Sequence, residues 1–161
     1  MVIGYGNDLR RDDGAGRLLA ACLAESWRAA GHAIDLHLTH QLTPELAIEM
    51  AAEGVDRVLF VDARQGGSKG IEVAPIQREN RAPSLGHHLE PALLLAYAAT
   101  LGSSESTPPP VAWQLTVPGV DFGHGEQISE EVVALIDETV GQAATLWQQI
   151  RQSPSAASTG P

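Results

Sequence analysis

The sequence predicts an α/β fold: a three-layer sandwich whose largely parallel, twisted sheet of about five strands carries helices on both faces. Strand-length apolar stretches alternate with longer stretches of helical spacing, which favours successive βαβ units. Residues 58–61 form a continuous apolar run, typical of a strand that is buried on both faces of a parallel sheet. A chain of 161 residues with 43% hydrophobic residues fits one domain with its own core.

Five strands are predicted from short apolar or alternating stretches. The first covers residues 1–3 and at most Gly4, which is short for a central strand. Residues 34–38 and 71–76 alternate apolar and polar side chains, as half-exposed strands do. Residues 58–61 form a strand that ends at Asp62, and residues 111–117 form one that is followed by a turn at Pro118-Gly119.

Four helices are predicted between these strands. Apolar positions at helical spacing mark residues 17–30, and Gly31 ends that helix. Thr43 as N-cap and Pro44 at the first position begin a second helix that ends near Gly54. Residues 91–101 form the third helix, and one long last helix runs from the N-cap Ser129 to Arg151. We therefore expect a single domain over residues 1–151 and a disordered Ser/Ala/Pro tail over residues 152–161.

The charge balance excludes several classes of partner. Twenty acidic residues against ten basic ones give a net charge of −10, which argues against binding to nucleic acid or to an anionic membrane. No apolar run approaches the roughly 20 residues that a membrane-spanning helix needs. No secretory leader is visible at the start of the sequence. We expect a cytoplasmic monomer.

The most informative segment is residues 4–16, which read Gly-Tyr-Gly-Asn-Asp-Leu-Arg-Arg-Asp-Asp-Gly-Ala-Gly between the first strand and the first helix. Ligands bind at this edge of open α/β sheets. Asp12 and Asp13 indicate a site for a cation or a polar substrate, although one of them could simply cap the helix. A nucleotide site is disfavoured because Leu9 stands where the dinucleotide fingerprint requires glycine and because two aspartates repel phosphate.

Two further segments supply metal-ligand chemistry. Asp62 follows the buried strand and either faces the same cleft or caps the next turn. His87 and His88 precede the third helix, and either imidazole could face the cleft. Two carboxylates and one imidazole suit a divalent transition metal in hydrolysis. His124, in a glycine-rich loop, is the reserve candidate. The chain contains no His-Glu-x-x-His, so zincin-type hydrolysis is unsupported.

The chain resembles a known family over nearly its whole length apart from the tail. The similar motifs, in chain order, are the glycine loop of residues 4–16, Gln-Leu-Thr-Pro-Glu-Leu at 41–46, Val-Leu-Phe-Val-Asp-Ala at 58–63, Gly-His-His-Leu-Glu-Pro at 86–91, Leu-Thr-Val-Pro-Gly at 115–119 and the approach to the last helix at 125–129. Together they resemble the [NiFe] hydrogenase maturation endopeptidases, which remove the C-terminal extension of the hydrogenase large subunit. The first motif is specific, and the others strengthen it as a set.

The resemblance implies a set of functional residues. Its three metal-binding side chains fall on Asp13, Asp62 and His87, with Asp12 as the alternative to Asp13 or as the residue that orients it. His87 is preferred to His88 because it lies two residues before Leu89, as in the family pattern. The metal would be nickel that is already installed in the precursor, although other divalent metals could occupy the site in vitro. Asp13 or Asp12 would accept a proton from the attacking water. The glycine loop would also supply its binding residues, which are Gly4, Gly6, Asn7 and Gly14.

Three departures from the family pattern and two alternative functions accompany this interpretation. Asp8 stands where proline or an aliphatic residue is usual, Arg11 stands where glycine is common, and the first strand is short. The first alternative is a chaperone-like module that binds the nickel-loaded precursor without cleaving it. The second is a nucleotide-binding α/β protein.

Overall fold

The computed structural model describes residues 1–66, 70–77, 89–102 and 108–152. The strands are β1 (Val2–Tyr5), β2 (Leu36–Thr39), β3 (Arg57–Gln65), β4 (Glu72–Ile76) and β5 (Val111–Gly119). The helices are α1 (Ala15–Ala29), α2 (Leu46–Met50), α3 (Pro91–Leu101), α4 (Glu130–Gly141) and α5 (Ala143–Arg151). A short 3-10 helix, Arg11–Gly14, leads into α1.

The strands of the described residues form one sheet in the order β2-β1-β3-β5-β4. Neighbouring strands are parallel except for β4, which runs antiparallel to β5 at one edge. The chain passes from β1 outwards to β2 and then returns to β3 on the other side of β1. The connection therefore reverses direction between β1 and β3, and ligands bind at such switch points beyond the carboxyl ends of the strands.

Helices cover both faces of the sheet and confirm the predicted three layers. α1, α4 and α5 pack on one face around Trp27, Val61 and Leu115, whereas α2 and α3 pack on the other around Ile3 and Phe60. Side chains along β3 alternate between the two clusters, with Leu59 and Val61 on the first face and Val58 and Phe60 on the second. The same period of two turns Asp62 towards the face that α2 and α3 cover.

Several predicted boundaries are wrong, although every predicted strand exists. β3 continues through Asp62 to Gln65 because it pairs with β5 along its whole length, and the predicted Pro118-Gly119 turn belongs to β5. The last helix is divided at Gln142 into α4 and α5. α2 has five residues instead of about ten. The N-cap position of Ser129 is confirmed.

Two of the predictions concern segments that are only partly described. Residues 153–161, which make up nearly all of the expected tail, lie outside the described residues. The division into one domain and a tail stays a prediction. Within the described ranges, no helix combines the length and the apolar character that crossing a membrane requires.

Candidate functional site

The loop after β1 is folded tightly around Asp13. Gly6 has a φ of 138°, which favours glycine, and a Cβ atom there would lie 1.9 Å from the carbonyl oxygen of Asp13. The next residue, Asn7, donates its backbone N–H to Asp13 Oδ2 at 3.1 Å. Asn7 Oδ1 in turn accepts the backbone N–H of Leu9 at 3.0 Å. These contacts hold the Asp13 carboxylate beyond the carboxyl end of β1.

A second segment of the chain, residues 121–125, anchors this loop from outside. The backbone N–H of Arg11 donates to the carbonyl oxygen of Gly125 at 2.8 Å, and Arg11 Nη1 lies 2.6 Å from Asp121 Oδ2. Arg11 has a φ of 47°, a left-handed conformation that is uncommon outside glycine. A glycine at this position would adopt the same conformation without strain. The two interactions offset the strain in the Arg11 backbone.

Asp12 has no solvent exposure, and both of its carboxylate oxygens are engaged in hydrogen bonds. Oδ2 accepts the backbone N–H groups of Val120 and Asp121, both at 2.8 Å, and the Ser129 hydroxyl at 2.9 Å. Oδ1 accepts the backbone N–H of Ser129 at 2.7 Å. Asp12 therefore joins the glycine loop to the end of β5 and to the beginning of α4.

These hydrogen bonds also determine the ionisation of Asp12. Burial by itself raises the pKa of the carboxyl group, but the donated hydrogen bonds from Ser129, Asp121 and Val120 outweigh burial and hold the pKa below its usual value. A buried carboxylate with this many donors is a structural anchor. Its predicted part in catalysis stays a prediction, and its contacts favour the supporting role.

Asp62 lies inside β3, at the switch point next to β1. Its Oδ1 accepts the backbone N–H of Ala63 at 2.8 Å. The pKa of Asp62 is raised to about 6: burial is the main cause, hydrogen bonds from Tyr5 and Ala63 oppose it, and the charge of Asp13 adds a smaller upward contribution. Asp13, in the 3-10 helix after β1, is therefore near enough to Asp62 of β3 for its charge to act on that carboxyl group.

The beginning of α1 is packed directly against the backbone of Asp62. A Cβ atom at Gly16 would lie 2.6 Å from Asp62 Cα and 2.8 Å from the carbonyl oxygen of Val61. Glycine at this position therefore allows the helix that follows Asp13 to approach β3 at backbone distance. The separation of the two carboxylates depends on this contact.

The structure adds Tyr5 and Gln114, two residues that the sequence analysis did not select. Gln114 Nε2 donates to the Tyr5 hydroxyl at 3.4 Å, and Tyr5 hydrogen-bonds with Asp62. Burial, the charge and hydrogen bond of Asp62, and the charge of Glu90 raise the pKa of Tyr5. The sequence feature that could have identified Tyr5 is the side-chain alternation along β1, which places Tyr5 on the same face of the sheet as Ile3.

The donor set of the site is suited to a cation. The Asp13 side chain keeps 22% of its exposure, so it is accessible from the cleft, and its nearest cationic group is Arg10 Nη1 at 3.9 Å from Oδ2. The charge of Asp13 adds to burial in raising the pKa of Asp62, as expected for two carboxylates that repel each other. A divalent cation between two such carboxylates would remove this repulsion.

Within the described part of the chain, no other predicted ligand joins this group. His87 and His88 lie outside the described residues, and His124 is exposed next to Gly125, which anchors the loop. Among the residues that the structure describes, no three His, Cys, Asp or Glu side chains are arranged as a metal site. Of the predicted binding-loop glycines, Gly4 lies in β1 and Gly14 is the last residue of the 3-10 helix. A Cβ atom at Gly14 would lie 3.0 Å from Asp8 Oδ1.

Solved structures similar to this chain include hydrogenase maturation proteases. A [NiFe] hydrogenase maturation protease HycI from Thermococcus kodakarensis is 22% identical with a TM-score of 0.60, and the match covers 91% of this chain and 90% of that one. The hydrogenase maturating endopeptidase HybD from E. coli is 15% identical with a TM-score of 0.53, covering 92% and 91%. This chain has the maturation-protease fold.

A third structure extends the same likeness. The hydrogenase 2 maturation peptidase from a Thaumarchaeota archaeon is 16% identical, with a TM-score of 0.53 over 91% of this chain and 95% of that one. No protein-family model matches the sequence, and no curated protein is similar to it. The likeness to the maturation-protease fold is therefore one of structure at low sequence identity.

Proposed function

We propose that this protein is an endopeptidase that removes the C-terminal extension of a [NiFe] hydrogenase large-subunit precursor after nickel insertion. The observation that carries the proposal is the approach of the Asp13 segment to Asp62 at the switch point between β1 and β3, where Gly16 brings the start of α1 against the Asp62 backbone. The maturation-protease fold, shared with HycI and HybD over nine-tenths of the chain, supports it. The proposed partner is the precursor, and the proposed setting is the cytoplasm, where the protein acts as a monomer.

Recognition of the substrate follows from the donor set. Nickel belongs to the precursor, and Asp13, Asp62 and His87 would complete its coordination, so that only a nickel-loaded precursor is held correctly. Leu89, two residues after His87, packs against the same apolar cluster as Tyr5, which supports a place for this segment beside the carboxylates. A transient site of three protein ligands fits a metal that arrives and leaves with its substrate.

Hydrolysis requires a group that takes a proton from the attacking water while the peptide C–N bond breaks and the proton passes to the leaving amine. Nickel in the substrate polarises the scissile carbonyl or lowers the pKa of the water. Asp13 is the better proton acceptor of the paired aspartates because its carboxylate is partly exposed, whereas both Asp12 oxygens are occupied. Asp12 would then act by holding the loop that carries Asp13.

The test is the incubation of the purified protein with a nickel-loaded precursor, followed by mass spectrometry. We expect the precursor to lose its C-terminal extension, and we expect Asp62→Ala and His87→Ala to abolish this mass change without unfolding the chain. Asp56→Ala is the matched control because Asp56 is an exposed carboxylate at the opposite end of β3. It should process the precursor at the wild-type rate.

Two results would overturn the proposal. Normal cleavage by Asp62→Ala or His87→Ala would remove the assigned side chain from the site. Tight binding of the precursor by the wild-type protein without any mass change would instead indicate the chaperone-like module.

A further inference from the structure

We propose that Tyr5 and Gln114 are positioning residues that hold the Asp62 carboxylate in one orientation towards the cleft. The inference rests on the proposed function, because it assigns Asp62 a direct role towards the substrate. It adds two side chains on two further strands to the machinery of the site. Both lie on the sheet face that α2 and α3 cover.

The strand register places these three residues next to one another. Gly4 pairs with Val61, so that Tyr5 comes beside Asp62, and Phe60 pairs with Gln114 on the next strand. Gln114 Nε2 lies 3.4 Å from the Tyr5 hydroxyl oxygen. Since β3 separates β1 from β5, the Tyr5 side chain spans β3 to make this contact. The tyrosine therefore crosses the strand that carries Asp62.

The direction of the hydrogen bonds follows from the groups present. The amide of Gln114 donates to the Tyr5 hydroxyl oxygen, which leaves the single hydroxyl proton of Tyr5 for the Asp62 carboxylate. The backbone N–H of Ala63 donates to Asp62 Oδ1 at 2.8 Å. Two fixed donors therefore act on one carboxylate and restrict its rotation.

Hydrogen bonds that fix the orientation of a carboxylate increase its effectiveness as a metal ligand. Carboxylates that ligate a metal are themselves held by hydrogen bonds, and the loss of such a partner typically costs about 10–100-fold in affinity or activity. Tyr5 and Gln114 thus act through Asp62 and need no contact with the substrate.

The test compares Tyr5→Phe with Tyr97→Phe. Tyr97 is the other tyrosine of the chain and packs against the same apolar cluster from α3, so the control removes the same atom from the same cluster. We expect Tyr5→Phe to lower kcat for precursor cleavage about 10–100-fold with little change in KM. Tyr97→Phe should leave both constants unchanged. Gln114→Met should lower kcat in the same direction and provides a second variant if Tyr5→Phe folds poorly.

A spectroscopic measurement on the metal-free protein tests the contact without cleavage. The carboxyl ¹³C resonance of Asp62, recorded at pH 8, should shift in Tyr5→Phe and stay in place in Tyr97→Phe. An unchanged resonance, or wild-type kcat in Tyr5→Phe while Asp62→Ala is inactive, would overturn the positioning role. Normal cleavage by Asp62→Ala would instead overturn the proposed function, and the resonance would still decide whether Tyr5 orients Asp62.

Discussion

At the scale of single residues, Asp62 is a carboxyl group whose ionised form is less favourable in the folded chain than in the unfolded one. Burial and the neighbouring Asp13 raise its pKa to about 6. The unfolded chain therefore releases this proton at lower pH than the folded chain does. Stability consequently falls as pH rises from about 4 to about 6, and the cost is then constant at higher pH.

Asp62→Asn should stabilise the metal-free protein above pH 6. The amide cannot ionise, yet its oxygen can still accept the backbone N–H of Ala63. We expect a gain of about 2–3 kcal/mol in the free energy of unfolding at pH 7.5, which disappears below pH 4. Urea denaturation at both pH values measures it. Equal stabilities of the two proteins at pH 7.5 would show that the folded state imposes no cost on this charge.

Sequence reasoning could find the carboxylates but not their separate tasks. Asp12 and Asp13 are neighbours in one motif, and nothing local distinguishes them. Asp12 is buried because residues 120, 121 and 129, more than 100 positions away, donate hydrogen bonds to it. Gln114 was missed for the same reason, since its contact with Tyr5 depends on strand order and register.

At the scale of secondary-structure elements, the contact between α1 and β3 determines how the carboxylates are arranged. α1 follows Asp13 directly, and β3 contains Asp62. Gly16 lets the two backbones touch, because any Cβ atom at that position would overlap Asp62 Cα and the Val61 carbonyl. The atoms in the way belong to the backbone of a central strand, which cannot move aside.

Gly16→Ala should therefore damage both stability and activity. Overpacking against backbone costs about 1–3 kcal/mol, and a displacement of about 1 Å between Asp13 and Asp62 can lower the cleavage rate about 100-fold. Gly141→Ala is the control, because it also lies in a helix, α4, and its Cβ would meet no atom within 4 Å. The control should gain about 0.5 kcal/mol from the helix propensity of alanine.

Thermal unfolding and precursor cleavage of the two variants provide the measurements. If Gly16→Ala were as stable and as active as the wild type, α1 would not determine the spacing of the carboxylates.

The elements themselves were largely predictable, whereas their ends were not. Apolar periodicity identified all five strands and the faces that helices cover, because burial on one or two faces leaves a local pattern. The end of β3 was predicted too early because residues 62–65 are more polar, yet pairing with β5 keeps them in the sheet. The break at Gln142 was missed because the apolar spacing continues across it.

At the scale of the whole molecule, Asp12 joins two parts of the chain that are 117 residues apart. The glycine loop belongs to the first βαβ unit, whereas Val120 and Asp121 directly follow the last strand and Ser129 is the N-cap of α4. Trp27 of α1 adds a second connection, with its Nε1 donating to the Ala143 carbonyl oxygen at 2.8 Å. The two ends of the described chain are thus held together behind the site.

Asp12→Asn should destabilise the protein by about 3 kcal/mol at pH 7, because the amide nitrogen would face backbone donors. Asp137→Asn on the exposed side of α4 is the control and should change little. The pKa of Asp12 is lower in the folded chain than in the unfolded chain, where it is near 4. The ionised carboxylate therefore stabilises the fold fully above the unfolded-state pKa, and this stabilisation is lost as the pH falls through the folded-state pKa. The difference between wild type and variant should therefore shrink below pH 4 in urea titrations. A constant difference would mean that the charge of Asp12 is not responsible.

The position of Asp12 also has a consequence for the order in which the site is completed during synthesis. Both Asp13 and Asp62 leave the ribosome with the first half of the chain, but the partners of Asp12 emerge more than 100 residues later. Until then the glycine loop lacks the anchor that holds it. The paired carboxylates are therefore translated early and assembled late, and a nascent chain cannot present the finished site before its last helices have docked.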